Sequence, residues 1–362
     1  ERNALIAEVK ELKTTISDDQ ERLEEVETNL GWKALALPNK PAEDVPDGGE
    51  EDSIVVREVG SKPTFDFDPG DHLDIAQDLN LIDMKTAAKM SGSRFAYIKN
   101  DLVRVQMALS NYVMSLLTEE GYELVVPPVI VRENALYGTG YLPAERDGIY
   151  KIEGEQMYLT GTSEVALANL HANEIVDYDQ LPLRYAGMST CFRSEAGSAG
   201  KDTKGIFRVH QFDKIEMFSF VPPELAKDEH ERILAIEERI LQDLELPYKV
   251  KNIAVGDLGA PAAKKYDCEA WFPSQNRYRE LTSCSNTTDY QARRLSAKFR
   301  RGGDAGALAG ALAGNGSGSG GVPDRDSKTV TGINNSGKKK QPTEYLHTLN
   351  GTAVAVGRTL AA

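Results

Sequence analysis

The chain has 362 residues, enough to bury a sizeable core and to hold one large domain or two. A formal net charge of -14 excludes a protein coated in basic surface for non-specific nucleic-acid binding, while leaving room for a local basic groove. Three widely spaced cysteines, Cys191, Cys268 and Cys284, form neither a disulfide framework nor a paired zinc signature, which points to a reducing cytosol, and no window holds the ~18 consecutive apolar residues of a membrane span.

Leu5, Val9, Leu12, Ile16, Leu23, Val26 and Leu30 recur in alternating steps of four and three, interrupted where Asp19 takes the expected apolar place. This is a heptad seam on a helix whose other faces are charged, and it needs a partner helix, either from sequence before Glu1 or from another chain. From Pro38 to Asp52 the composition turns to Pro, Gly and acid, as in a linker. Asn100 to Glu120 places Leu102, Val105, Leu109, Val113, Leu116 and Leu117 at helical spacing and stops at Gly121. Leu124 to Val131 then reads as an extended, buried strand broken by Pro127 and Pro128.

Thr162 and Glu164 flank Ser163 in a pattern that, in isolation, is a helix N-cap with its first-turn acid. Arg193 and Glu195 are two apart on an expected strand, so they share a face, where one side chain can meet a phosphate and the other a base or amine. After a Gly-rich, basic hairpin tip the chain returns through an alternating strand to Glu216. A helical pattern runs from Glu224 to Leu244, and Tyr248 to Val255 alternates as a strand. Neither a βαβ rhythm nor a GxGxxG or GxxxxGK[ST] loop is present, so a Rossmann or P-loop site is unsupported and an antiparallel sheet flanked by helices fits better. Gly302 to Thr343 contains GALAGALAGNGSGSGG and then Lys338-Lys339-Lys340, a composition expected of a flexible insertion, with contact of the lysines to RNA phosphates as the sharper alternative. The first residue is Glu and the last lie in an apolar run, Leu360-Ala361-Ala362, so both ends are expected to continue in a longer protein.

The run FRSEAGSAGKDTKGIFRVHQFDKIEMF, from Phe192 to Phe218, resembles motif 2 of class II aminoacyl-tRNA synthetases, and in particular that of the seryl-tRNA synthetases. The helix and proline-bearing strand from Asn100 to Val131 resemble motif 1, and Ala355 to Leu360 resembles motif 3. The resemblance implies an α+β class II fold, an antiparallel sheet flanked by helices, preceded by a coiled-coil arm. It divides the chain into an arm remnant at 1–36 that would reach tRNA, a linker at 37–60 and a catalytic domain at 61–362, with the insertion at 302–343 lying outside the family pattern.

By the same resemblance, Arg193 is expected to hold the ATP α-phosphate and the substrate carboxylate, Ser194 and Glu195 to lie against ATP with Glu195 on the adenine amino group, Phe212 to stack on the ring and Arg358 to hold the γ-phosphate. Glu280 and Ser283 are expected to contact ATP and the Mg2+ that accompanies it, with Leu281 and Thr282 as neighbours by position. Hard oxygen donors suit that metal. Thr162, Ser163 and Glu164 resemble the loop that closes over the amino acid, and Glu216 and Thr352 match the positions that contact the serine hydroxyl. No zinc is expected, because with this loop and with three cysteines in no local metal motif the chain resembles the zinc-free type. Such chemistry needs no general base, since a carboxylate is already ionised at neutral pH. It needs arginines and a metal to align two anions and neutralise the charge between them.

The resemblance therefore implies a seryl-tRNA synthetase, expected to be cytoplasmic and homodimeric through motif 1, with ATP, L-serine and tRNA(Ser) as substrates. Two alternatives compete with it. A ligase that charges a carrier protein would keep the fold but lack the heptad arm. A non-catalytic paralogue would be expected to lose charged site residues, yet Arg193, Glu195, Glu216, Glu280 and Arg358 are all present.

Overall fold

A computed structural model describes residues 2–196, 204–302 and 342–362. They fall into two compact units, 1–38 and 39–362. The first is a single helix, α1 (Arg2–Leu35), of 34 residues, about 50 Å long at the usual helical rise. Its heptad residues Leu5, Val9, Leu12, Ile16, Leu23, Val26 and Leu30 are all exposed. Thr14 and Thr15 direct their hydroxyls back to the carbonyls of Lys10 and Glu11, which satisfies both groups without interrupting the helix.

The second unit is built on an eight-stranded sheet. Its elements in chain order are β1 (Ile54–Val59), α2 (His72–Asp78), α3 (Met84–Ser91), α4 (Asp101–Glu119), β2 (Glu123–Val125), α5 (Glu133–Thr139), α6 (Glu164–Ala168), β3 (Leu183–Phe192), β4 (Gln211–Val221), α7 (Ala226–Asp243), β5 (Tyr248–Asn252), β6 (Lys264–Phe272), β7 (Arg277–Thr288), α8 (Tyr290–Leu295), β8 (His347–Ala355) and α9 (Val356–Ala361). The sheet order is β1-β5-β6-β7-β8-β4-β3-β2. Every pair is antiparallel except β2 with β3.

Helix α7 covers one face of the sheet because Ile233, Leu234, Ile236, Ile240 and Leu241 recur at helical spacing and are buried. They share one core with Ile215 and Met217 of β4, Cys268 of β6, Cys284 of β7 and Leu349 and Ala353 of β8. A second cluster gathers Leu167, Phe218, Phe220, Ala292, Leu295 and Phe299 beside α6 and α8. The buried end of α7 is tied down by charge as well: Arg184 of β3 donates from Nε and from a terminal amine to Glu229 at 2.7 and 2.6 Å, and Ser219 adds a bond of 2.8 Å.

Two β-bulges shape the opposite face. Cys268 pairs with Thr282 and Glu269 with Glu280, so Leu281 is an extra residue on β7. Ile215 pairs with Val354 and Glu216 with Thr352, so Ala353 is an extra residue on β8.

Three expectations need correction. The linker expected over 37–60 ends in a strand: Ile54–Val59 is β1 and pairs with β5, its apolar residues supplying strand character that the acidic stretch before it obscured. The single buried strand expected over Leu124–Val131 is two short strands in different sheets, Glu123–Val125 and Ile130–Arg132. Pro127 and Pro128 have no N–H to give a ladder, and Val126 beside them is 85% exposed. The strand expected to reach Val255 stops at Asn252.

The tip at 197–203 and the segment 303–341, with its lysine triplet, lie outside the described residues. The flanks of the latter meet, as Lys298–Arg300 and Thr343–Tyr345 pair antiparallel. Arg301 beside them binds Glu224 and Glu344.

Candidate active site

The open face of β4, β7 and β8 forms the floor of a cavity of about 490 Å³ in the second unit. One end is acidic. Glu216 is 1% exposed. Its Oε2 lies 2.5 Å from Lys214 Nζ and accepts from Thr352 Oγ1 at 3.3 Å, and its Oε1 accepts from Asn350 Nδ2 at 3.2 Å. Lys214 and Glu216 share the cavity face because they are two apart on β4, and Thr352 reaches them because it is the cross-strand partner of Glu216. Lys214 also donates to Thr162 Oγ1 at 2.7 Å.

The second carboxylate, Glu164, opens α6. Its Oε2 accepts from the Tyr141 hydroxyl at 2.9 Å and from Asn350 at 3.3 Å, and its Oε1 accepts from Gln291 Nε2 at 2.8 Å. Burial, then the charge of Glu216, push its carboxyl above the usual range, while the bonds from Gln291 and Tyr141 and the Lys214 ammonium pull it back.

The other end is cationic. Arg193 follows β3 directly; its Nε donates to the Gly161 carbonyl at 3.3 Å, and its guanidinium lies 5.3 Å from the centre of the Phe212 ring. Arg208 binds the Glu195 carboxylate, and Arg94 lies 3.9 Å from it. Further along, Arg358 of α9 donates to the Glu280 carbonyl and carboxylate, both at 3.2 Å. Arg279 and Arg358 lie 3.9 and 5.0 Å from the Phe207 ring centre. Although enclosure acts to raise it, Arg358 and then Lys265 hold the Glu280 carboxyl at about 2. Lys265 sits 2.9 Å from Asp267, whose carboxyl burial pushes up to about 7 despite that ammonium.

Of the residues singled out in the sequence, Glu164, Arg193, Glu195, Phe212, Glu216, Glu280, Leu281, Ser283, Thr352 and Arg358 line this one cavity. Thr162 is fully buried behind it, its hydroxyl accepting from Lys214 and from the Glu164 amide.

Ser163, Ser194 and Thr282 are not brought to the wall. Ser163 Oγ is bonded to Ser189 Oγ at 2.7 Å, Ser194 donates to the Asp147 carbonyl, and Thr282 donates to Glu237 at 3.0 Å on the α7 face. Contiguous residues on a strand cannot all face one way, so a run of neighbours such as Glu280 to Ser283 divides between faces. The shared-face argument for Arg193 and Glu195 also needs correction. β3 ends at Phe192, and Glu195 reaches the cavity by adopting the left-handed conformation, φ +53°, rather than by strand alternation.

Lys214, Asn350, Tyr141, Arg208 and Lys265 also line the cavity and were not anticipated. Lys214 was legible, since it alternates between Phe212 and Glu216; so was Asn350, two residues before Thr352. Tyr141 and Lys265 carry no local signal and arrive through the tertiary fold. Among the described residues no group of three or more His, Cys, Asp and Glu side chains is arranged to hold a metal ion. Nor is any helix among them long and apolar enough to cross a membrane.

A family model described as the tRNA synthetase class II core domain (G, H, P, S and T) matches residues 150–305. A serine–tRNA ligase of Clavibacter michiganensis is 53% identical over 296 residues, 82% of this chain and 70% of the relative. This chain belongs to the seryl-tRNA synthetase family. A serine–tRNA ligase of Nocardia farcinica is 47% identical over 300 residues, 83% of this chain and 71% of its own length.

Among solved structures, seryl-tRNA synthetase from Pyrococcus horikoshii complexed with ATP superposes with a TM-score of 0.84 at 38% identity, covering 99% of this chain and 77% of that one. The cytoplasmic serine–tRNA ligase of Naegleria fowleri, in complex with AMP, gives 0.79 at 34% identity, covering 96% and 75%. The expected α+β architecture, an antiparallel sheet flanked by helices with a long N-terminal helix, is thus that of the seryl-tRNA synthetases, and the chain is an aminoacyl-tRNA synthetase.

Proposed function

We propose that this chain activates L-serine with ATP to seryl-adenylate and then transfers the seryl group to the 3′ end of tRNA(Ser). The observation that carries the reading is one cavity with two buried carboxylates at one end, Glu164 and Glu216, and three arginines toward the other, Arg193, Arg208 and Arg358. In the first step a serine carboxylate oxygen forms a bond to the α-phosphorus of ATP, and the bond from that phosphorus to the pyrophosphate oxygen breaks. Arg193 neutralises both the carboxylate and the α-phosphate. Glu195 and Phe212 take the adenine, and Arg358 with Arg208 takes the outer phosphates.

Glu280 and Ser283 suit Mg2+ held jointly with those phosphates. The Leu281 bulge puts an ionised carboxylate and a hydroxyl on the cavity side, and two hard oxygen ligands fit a metal that keeps most of its shell for water and phosphate. When bound, Mg2+ would supply charge neutralisation at the leaving pyrophosphate.

The acidic end selects the amino acid. Glu164 receives the serine ammonium, and Glu216 with Thr352 receives the hydroxyl. Alanine leaves those groups unpaired and is rejected by roughly 10⁴, as at other hydroxyl-reading sites. Threonine carries the hydroxyl and must be excluded by shape. Outside the cavity, α1 serves as the tRNA-binding arm, and α4 with β2 forms a homodimer interface, a reading supported by the exposed Val103, Val105, Met107, Leu124 and Val126. Three free, buried cysteines suit a cytoplasmic enzyme.

The test is exchange of labelled pyrophosphate into ATP driven by serine, with alanine, threonine and glycine as controls, followed by charging of tRNA(Ser). Serine-driven exchange is expected. A folded protein that exchanges with none of the four amino acids would sink the proposal.

A further inference from the structure

Gln291 lies in the first turn of α8, outside the three sequence motifs. It is fully buried and does not line the cavity. Its Nε2 donates to Glu164 Oε1 at 2.8 Å and to the Thr139 carbonyl at 3.3 Å. Its Oε1 accepts from Thr348 Oγ1 at 3.0 Å. Thr348 is in turn held by Thr287, whose hydroxyl donates to the Thr348 carbonyl at 2.8 Å. The Thr139 carbonyl, which can only accept, fixes the direction of the amide: the NH₂ end faces Thr139 and Glu164, and the oxygen faces the Thr348 hydroxyl. A side chain of α8, braced by β7 and β8, therefore grips the carboxylate that opens α6. Tyr141 and Asn350 reach the other oxygen of Glu164 from the cavity wall, and Gln291 takes Oε1 from outside it.

We propose that Gln291 is a positioning residue for amino-acid binding, clamping Glu164 Oε1 so that the carboxylate presents a fixed face to the substrate ammonium. The inference rests on the assignment of Glu164 to that ammonium. A glutamine suits the task better than a cation. It donates a hydrogen bond without adding a charge that would compete with the ammonium, and its acceptor end ties the clamp to β8.

Electrostatics agree with the geometry. The titratable and charged groups facing Glu164 are Glu216, Tyr141 and Lys214, and against burial and Glu216 the Gln291 bond is one of those favouring the ionised form. Losing that bond raises the carboxyl further, so the acidic limb of a serine-dependent pH profile moves to higher pH.

The experiment is steady-state pyrophosphate exchange on wild type, Gln291→Met and Gln291→Glu, with KM for serine and for ATP measured across pH. Methionine keeps the volume and removes the donor; glutamate sets a second carboxylate against Glu164. For Gln291→Met the KM for serine is expected to rise roughly ten- to hundredfold, the cost of a lost bond to a charged group. The KM for ATP stays unchanged and the acidic limb of kcat/KM for serine shifts upward. Gln291→Glu is expected to be worse at neutral pH.

A folded Gln291→Met enzyme with wild-type KM for serine and wild-type pH profile overturns the proposal, as does an equal rise in both KM values, which marks a merely structural role. If Gln291→Met does not fold, Thr348→Val decides. It unties the clamp at its far end, with an expected rise in KM for serine of roughly three- to tenfold, and an unchanged value overturns the proposal. A wild-type protein without serine-driven exchange would instead remove the function reading, and this inference with it.

Discussion

At the scale of single residues the acidic end of the cavity is a problem of charge burial. Two carboxylates, Glu164 and Glu216, are kept close together out of water, and the Lys214 ammonium, itself buried, balances one of them at 2.5 Å. Removing one member of such a pair leaves the other uncompensated, typically at 3–5 kcal/mol, whereas removing both can be nearly neutral. Glu216→Ala is therefore expected to lower the unfolding free energy by about 3–5 kcal/mol in urea denaturation, and Lys214→Met added to it to recover most of that loss. Equal stabilities for wild type and Glu216→Ala would show that the pair is solvated and that Lys214 has other partners.

At the scale of elements, α7 and the bulges divide the sheet into a supporting face and a working face. The supporting face is polar in places. Burial pushes the Glu237 carboxyl well above its usual range, and Thr282 donates to it. His230 stacks on Tyr266 at 5.1 Å and shares a 3.1 Å hydrogen bond with the Cys284 carbonyl. Burial lowers the His230 pKa from 6.5 to about 4. The sign follows from proton counting: between these values the unfolded chain binds a proton that the folded one refuses, so stability is full above pH 6.5 and declines as pH falls toward 4.

The shift corresponds to at most roughly 3 kcal/mol. His72 and His347, also lowered by burial, act in the same direction. His230→Gln retains a donor for Cys284 but does not titrate. Melting curves at pH 7 and pH 5 are expected to show a smaller loss for this variant than for wild type. An identical loss would mean that His230 takes up its proton in the fold as readily as in the unfolded chain.

For the whole molecule the chain divides at residue 38 into two compact units, to which the proposed function gives separate tasks. The cavity is lined wholly by residues of the second unit, while α1 exposes its heptad seam. Adenylation and tRNA capture are expected to separate accordingly. Deleting residues 1–38 is expected to leave serine-dependent exchange within roughly twofold of wild type, and to lower the charging of tRNA(Ser) by at least about tenfold, the scale of one or two lost charge-assisted contacts. Equal loss of both activities would place α1 in the support of the catalytic unit instead.

The sequence by itself determined α4 and α7, because burial of one face writes a 3.6-residue period directly into the chain, and α1 through its heptad seam. It also pointed to ten of the residues that line the cavity, through a resemblance carried by short contiguous motifs. Only the tertiary structure decided which residues of each motif face the cavity. Glu280 and Ser283, three apart, would lie on opposite faces of a regular strand, and the extra residue at Leu281 brings them to one side.

Thr282 turns away because successive strand positions point in opposite directions, whereas Ser163 at the start of α6 and Ser194 beyond β3 have their hydroxyls claimed by Ser189 and the Asp147 carbonyl. Tyr141, Lys265 and Gln291 were illegible in the chain because each acts on a partner distant in sequence or on another element. Glu164 is 127 residues from Gln291, and only the packing of α8 against α5 and β8 makes them neighbours.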